Sequence, residues 1–208
     1  MKKHIIPAII AKTQDELEEI LDKINDHANL LQLDIMDGKF VPTTSLDFDL
    51  KFPLQKYRYE AHLMVADPMD WIKRYGDRVD TIIAHYESLN NMDTYIKKVS
   101  LLNKKIALAV NPETEIKKIL PYLQKLDQVL VMTVHPGYYG SQFLPEMVEK
   151  IKDIRMMYPE MDIEVDGGIS TDTISSVNEA GANMFVSGSF IIKSDDVKKK
   201  IEILKSYL

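Results

Sequence analysis

The sequence predicts an α/β chain closed into an eight-fold (β/α)8 barrel. Eight short apolar runs alternate with amphipathic helical stretches from one end of the chain to the other. Their mean spacing is about 26 residues, close to what eight β/α units require. Three of these runs are unusually polar at their C-terminal ends, where a barrel carries its chemistry.

The strand candidates are His4–Ile9, Leu30–Met36, Tyr59–Met64, Thr81–His85, Ile106–Val110, Gln128–Val134, Asp162–Asp166 and Met184–Ser187. Helical patterns lie between them. Thr13–His27 carries Leu17, Ile20, Leu21 and Ile24 on one face, and Thr13 followed by Glu16 fits a capping box. Pro68, Pro112 and Pro145 fall at or near helix starts, where a missing N–H costs little. Gly76 and Gly181 follow helices just before the next strand. The last helix opens Ser194-Asp195-Asp196 and then turns Lys-rich, the order a helix dipole favours. The rival architecture is an open doubly wound sheet, but the first strand is not followed by its G-x-G-x-x-G fingerprint. With no linker, low-complexity run or composition shift, residues 1–208 are expected to form one barrel domain.

Composition narrows the function classes. The chain has 208 residues, 45% hydrophobic and 28% charged, enough for a sizeable core. That is shorter than the roughly 250 residues usual for this architecture, so its loops must be short. A net charge of −6 with mixed signs argues against a nucleic-acid partner. The absence of cysteine excludes disulfides, thiolate metal sites and a cysteine nucleophile. No run approaches the roughly 18 apolar residues of a membrane span, so no membrane partner is expected. Met1-Lys2-Lys3 and the apolar run after it faintly imitate a signal peptide, but Lys12 and an acidic helix interrupt it. A cytoplasmic protein is expected.

Three strand ends are unusually polar. In Leu31-Gln32-Leu33-Asp34-Ile35-Met36-Asp37-Gly38, a period of two puts Gln32, Asp34 and Met36 on the face pointing into the barrel. A carboxylate there is costly unless it is paired, hydrogen-bonded or metal-bound, which marks Asp34 as functional. Asp37 suits a simple cap on the turn at Gly38. The same parity puts His62 and Met64 on one face of Glu60-Ala61-His62-Leu63-Met64. A lone strand histidine is more often a satisfied core residue than a ligand, but His62 falls within reach of Asp34. Asp166 ends the seventh strand before Gly167-Gly168, and the eighth ends at Ser187-Gly188-Ser189. Glycine turns at these two neighbouring positions suit a phosphate held by backbone N–H groups. The segment from Val131 to Gln142 includes Gly137 and Gly140 and has the makeup of a loop that folds over a ligand. Met36, Met64 and Met132 are inward strand-end methionines. Such residues are usually core filler, and here they could also floor a pocket. His85 and Glu87, alternate residues at the end of the fourth strand, stay unassigned between supporting groups and a solvated strand end.

Leu33-Asp34-Ile35-Met36-Asp37-Gly38-Lys39-Phe40-Val41-Pro42 and Ala61-His62-Leu63-Met64-Val65 resemble the ribulose-phosphate 3-epimerase family. So do Val131-Met132-Thr133-Val134-His135-Pro136-Gly137 and Val165-Asp166-Gly167-Gly168, in the right order over essentially the whole chain. The resemblance implies a ribulose-phosphate-binding TIM barrel that inverts carbon 3 of a ketose phosphate through an enediolate. It implies Asp34 and Asp166 as the acid/base pair, and His62, Met36, Met64, Met132, Gly137, Gly140, Gly168, Gly188 and Ser189 as substrate-binding residues. It implies a divalent metal ion (zinc, manganese, iron or magnesium) on Asp34, His62 and Asp166, and a homo-oligomer is expected. The departures cluster around the pocket. Gln32 stands in place of a histidine ligand, Ala8 in place of a serine, Thr43 in place of an asparagine and Tyr139 in place of a glycine. An amide oxygen is a poorer zinc ligand than imidazole and suits a harder cation. The alternative is therefore a relative with an altered substrate or lost activity that still binds a sugar phosphate. A lyase cousin is disfavoured, because Asp34-Ile35-Met36 lacks the lysine of an Asp-x-Lys pattern.

Overall fold

A computed structural model describes every residue of the chain except Leu54 and Tyr139. Eight parallel strands form the sheet: β1 (His4–Ile9), β2 (Leu30–Asp37), β3 (Arg58–Met64), β4 (Thr81–His85), β5 (Lys105–Val110), β6 (Gln128–Met132), β7 (Asp162–Asp166) and β8 (Met184–Ser187). Each pairs with its sequence neighbours, and β1 pairs with both β2 and β8, which closes the barrel. The helices are α1 (Gln14–Ile24), α2 (Pro68–Tyr75), α3 (Met92–Leu101), α4 (Leu120–Leu123), α5 (Met147–Met157), α6 (Ile174–Glu179), α7 (Ser189–Ile192) and α8 (Val197–Lys205). No described helix is long and apolar enough to cross a membrane.

Local chemistry accounts for the helix starts. The Thr13 hydroxyl accepts from Glu16 N–H at 3.2 Å, and the Glu16 carboxylate reaches back to Lys12 N–H at 2.7 Å, one residue earlier than a standard capping box. Asp67 caps α2 ahead of Pro68, and Asp196 caps α8 by accepting from Lys199 N–H at 2.9 Å. Pro145 lies in the turn just before α5, whereas Pro112 sits in a turn rather than at a helix start. Strand parity sorts the barrel. Leu31, Leu33 and Ile35 pack into the core beneath the helices, while Gln32, Asp34 and Met36 face the interior. Two apolar clusters fill that interior, Ile6/Ala8/Leu30/Met184/Val186 and Ile83/Ala107/Ala109/Leu130/Met132/Val134. Besides these, the interior-facing positions carry Met36 and Met64 near the mouth and buried polar groups below them.

Two features differ from the expected pattern. No described residue between β2 and β3 is helical; Thr44–Ser45 instead pairs antiparallel with Met36 and Asp37. Leu46 N–H donates to the Ala11 carbonyl at 2.8 Å, and Leu46 and Leu50 are buried in the core. The segment thus takes over burial that a helix supplies elsewhere. The sixth strand ends at Met132 rather than Val134, because its last partner on β7 is Asp166 and the chain turns away at Gly167 (φ +119°).

Asp37 is the turn cap its sequence context suggests, and it also ties β2 to the loop after β3. One carboxylate oxygen accepts from Lys39 and Phe40 N–H at 2.9 and 3.0 Å, and the other from Ala66 N–H at 2.8 Å. Burial opposes ionisation, but these backbone N–H groups outweigh it and lower the Asp37 pKa. A depressed carboxylate contributes stability above its unfolded value of 3.8, and this is lost as pH falls through the folded value. Asp37→Ala is expected to cost about 1–3 kcal/mol near neutral pH, and less below pH 4, as read by urea denaturation. An equal loss at pH 3 and pH 7 would contradict the assignment.

Candidate active site

The C-terminal mouth of the barrel holds a cavity of about 370 Å³, within the range of small-ligand sites. Asp34 and Asp166 line it, with Met36, Met64 and Met132 on its apolar part and Ala8 at the end of β1. The loops contribute Gly137, Gly140, Gly168, Gly188 and Ser189, so these expected residues converge on one opening. Gly188 and Ser189 lead into α7, beside the Gly167-Gly168 turn. The loop after β6 is anchored: Thr43 donates its hydroxyl to the Gly137 carbonyl at 2.6 Å, and Leu144 N–H donates to the Thr133 carbonyl at 2.8 Å. Tyr139 lies outside the described residues.

His62 differs from the other expected substrate contacts. It is fully buried, and it is not among the residues lining the cavity. It meets the site only through Nδ1, which lies 3.2 Å from Asp34 Oδ1 and 3.2 Å from Asp166 Oδ2. Asp34 and His62 are direct partners across β2 and β3, and Asp166 reaches them from β7. Burial pushes the Asp34 carboxyl up, and the Asp166 charge pushes the same way, while His62 and Gln32 hydrogen bonds pull it back; the net direction is upward. Burial disfavours charge on His62, but its hydrogen bonds to Asp166 and Asp34 win and raise it to about 9. The two aspartates and the imidazole therefore form one electrostatic unit.

Asp34, His62 and Asp166 each offer one ligand atom, all within 4.8 Å of one another, so they fit a single metal ion. Gln32 completes the ring differently from a histidine. Its amide nitrogen donates to Asp34 Oδ1 at 2.8 Å and Asp166 Oδ2 at 2.7 Å, and lies 3.4 Å from His62 Nδ1. The nitrogen thus sits among the ligand atoms, while Oε1 is buried with no hydrogen-bond partner among the described residues. Rotating the amide end for end exchanges the two atoms, turning an oxygen ligand toward a cation and removing the donor. The donor set of two carboxylates, one imidazole and one amide oxygen fits a divalent cation and is harder than a two-histidine set.

Sequence reasoning left His85 and Glu87 unassigned, and it missed the deeper layer of Glu60, Gln128 and Glu164; the structure puts all five beneath the site. His62 Nε2 lies 2.8 Å from His85 Nε2, and His85 Nδ1 lies 3.4 Å from Glu87 Oε2. Burial lowers His85 to about 4, keeping it neutral. Burial would raise Glu87, but hydrogen bonds from His85, Thr114 and Asn111 N–H bring it down to about 2. One layer deeper, Gln128 Nε2–H donates to Glu164, with Glu60 against the same group. Burial raises Glu60 to about 7 and Glu164 well above its ordinary value, which reduces the negative charge this layer turns toward the aspartates. Parity could have found Glu60 and Glu164, since each stands two residues before an inward ligand on its own strand.

A family model described as the ribulose-phosphate 3 epimerase family matches residues 4–192. The chain belongs to the ribulose-phosphate 3-epimerase family. A ribulose-phosphate 3-epimerase of Eremothecium gossypii is 32% identical over 221 residues, covering 99% of this chain and 92% of the relative. A cytoplasmic isoform from Oryza sativa subsp. japonica is 34% identical over 186 residues, covering 86% and 82%. Among solved structures, KGPDC of Streptococcus mutans superposes with a TM-score of 0.74 at 12% identity, covering 100% of this chain and 97% of its own. At that identity the likeness supports the barrel alone.

Proposed function

We propose that this family member is an isomerase inverting carbon 3 of a ketose phosphate, interconverting D-ribulose 5-phosphate and D-xylulose 5-phosphate or a close analogue. The convergence of Asp34 and Asp166 on His62 Nδ1, at the floor of a glycine-rimmed cavity, carries this reading. The carbon-3 proton of such a sugar is acidified by the neighbouring ketone. One aspartate removes it from one face, and the other returns a proton to the opposite face of the enediolate. The reaction needs one carboxyl protonated and one ionised at the same moment. Burial and the Asp166 charge favour that split by raising Asp34. The turns at Gly168, Gly188 and Ser189 present backbone N–H groups to the phosphate, and Met36, Met64 and Met132 keep water from the reacting carbons. When bound, a divalent cation on Asp34, His62, Asp166 and the Gln32 amide oxygen supplies polarisation of the ketone.

Protein supplied with Zn²⁺, Mn²⁺ or Mg²⁺ and D-ribulose 5-phosphate is expected to produce D-xylulose 5-phosphate, followed by ¹³C NMR. Gln32 favours a second reading, a sugar-phosphate binder without turnover, because its amide nitrogen stands where the cation belongs. Saturable binding of ketose phosphates with no epimer formed under any of the three metals would select it. Gln32→His replaces the amide with an imidazole and is expected to tighten Zn²⁺ binding by on the order of tenfold or more, measured by chelator competition. Unchanged affinity would remove Gln32 from the ligand set.

A further inference from the structure

We propose that His85 and Glu87 are positioning residues that fix the tautomer of His62, so that its Nδ1 lone pair faces the cation position between Asp34 and Asp166. The proposal rests on the cation reading of the site given above. His62 Nε2 and His85 Nε2 are 2.8 Å apart, so one ring must donate its N–H and the other accept. Two imidazoles alone permit either direction. Glu87 decides between them. An ionised carboxylate only accepts, so His85 Nδ1, 3.4 Å from Glu87 Oε2, carries the hydrogen. A neutral His85 then has only a lone pair at Nε2, and His62 Nε2–H donates to it. A cation bound between the aspartates would displace the proton from His62 Nδ1, 3.2 Å from both carboxylates, leaving the ring neutral with its hydrogen at Nε2 and its lone pair toward the cation.

Glu87 is itself held in place as an acceptor. Its other oxygen receives Asn111 N–H at 3.0 Å and the Thr114 hydroxyl. That turn is pinned by Lys150 Nζ, which donates to the carbonyls of Asn111, Pro112 and Thr114 at 3.2, 2.7 and 2.8 Å. Both imidazoles are at 0% exposure, and Phe40 packs against His85 with ring centroids 4.8 Å apart. Bulk water therefore cannot substitute for the missing partner if the chain is broken. Outer partners of this kind orient a metal-binding histidine, and their loss typically weakens metal binding about 10–100-fold.

Three variants and one spectrum test this. Glu87→Gln keeps the side-chain size, but its amide can donate to His85 Nδ1. His85 then carries its hydrogen at Nε2, facing the hydrogen of His62, and His62 is driven to the tautomer without a lone pair in the site. Zn²⁺ affinity, read by competition with a chromophoric chelator, is expected to fall about 10–100-fold in Glu87→Gln and in His85→Leu. His85→Gln can place an amide oxygen at the Nε2 position and is expected to stay within about threefold of wild type. In zinc-loaded wild-type protein, ¹⁵N NMR should show His62 protonated at Nε2 and not at Nδ1. His62 protonated at Nδ1 in that sample, or Glu87→Gln and His85→Leu binding Zn²⁺ as tightly as wild type, would overturn the proposal. Wild-type protein that binds none of Zn²⁺, Mn²⁺ and Mg²⁺ would instead overturn the cation reading itself, and the proposal with it; if only Mn²⁺ or Mg²⁺ binds, the same variants are compared with that ion and the same outcomes apply. The spectrum needs no variant, so misfolded substitutions leave the test intact.

Discussion

Asp34→Asn and Asp166→Asn are each expected to lower epimerase turnover by about 10²–10⁴, the usual worth of a positioned acid or base. Both amides keep nearly the shape of the carboxyl, so the loss is chemical. Each substitution leaves one face of carbon 3 with no group to take or give a proton. Removing either aspartate also takes away a partner of His62 Nδ1 and an acceptor of the Gln32 amide. Metal binding is therefore expected to weaken in both variants, and the double variant should lose little more than either single one, because the pair acts as a unit. Steady-state rates by a coupled assay, with metal content checked on the same samples, decide the matter. An active Asp166→Asn enzyme would remove Asp166 from the acid/base pair.

Gly167→Ala is expected to be the most damaging single methyl group around the site. Gly167 has φ +119°, a conformation that L side chains rarely adopt. A Cβ there would stand 2.4 and 2.7 Å from the two Val134 methyl carbons, inside the packed barrel. Backbone strain and overpacking together cost about 3–5 kcal/mol, a large part of an ordinary domain's stability. The residue also joins two strand ends. Thr133 N–H donates to the Asp166 carbonyl at 2.7 Å, and the Thr133 hydroxyl to the Gly167 carbonyl at 2.6 Å. Relief of the clash therefore moves Asp166. A drop in Tm on the order of 10 °C is expected by calorimetry, with activity reduced in the protein that remains folded. A variant that melts within a degree or two of wild type would contradict the packing described.

Much of this site can be read from strand parity. Gln32, Asp34 and Met36 alternate with Leu31, Leu33 and Ile35, and that local pattern fixes which face meets the barrel interior. The glycine turns after β7 and β8 are equally local, and the closed sheet brings them to one mouth. What could not be read depends on contacts between distant parts of the chain. The stretch after β2 forms no helix among the described residues because Leu46 is tied to Ala11, thirty-five positions earlier. His85 and Glu87 look like any polar strand end until the barrel places His85 against His62 and Asn111 against Glu87. Gln32 was visible as a departure. Its consequence, an amide nitrogen bridging both aspartates, follows only from three-dimensional placement.

The two-aspartate account is tested most directly by running the reaction in D₂O with D-ribulose 5-phosphate and following carbon 3 by NMR. Each molecule of D-xylulose 5-phosphate formed is expected to carry one deuterium at carbon 3, because the returning proton comes from a second group in exchange with solvent. Asp34→Asn and Asp166→Asn should form no labelled product at a comparable rate. Product retaining the original hydrogen at carbon 3, or labelling that survives in both variants, would contradict the assignment of Asp34 and Asp166 as the acid/base pair.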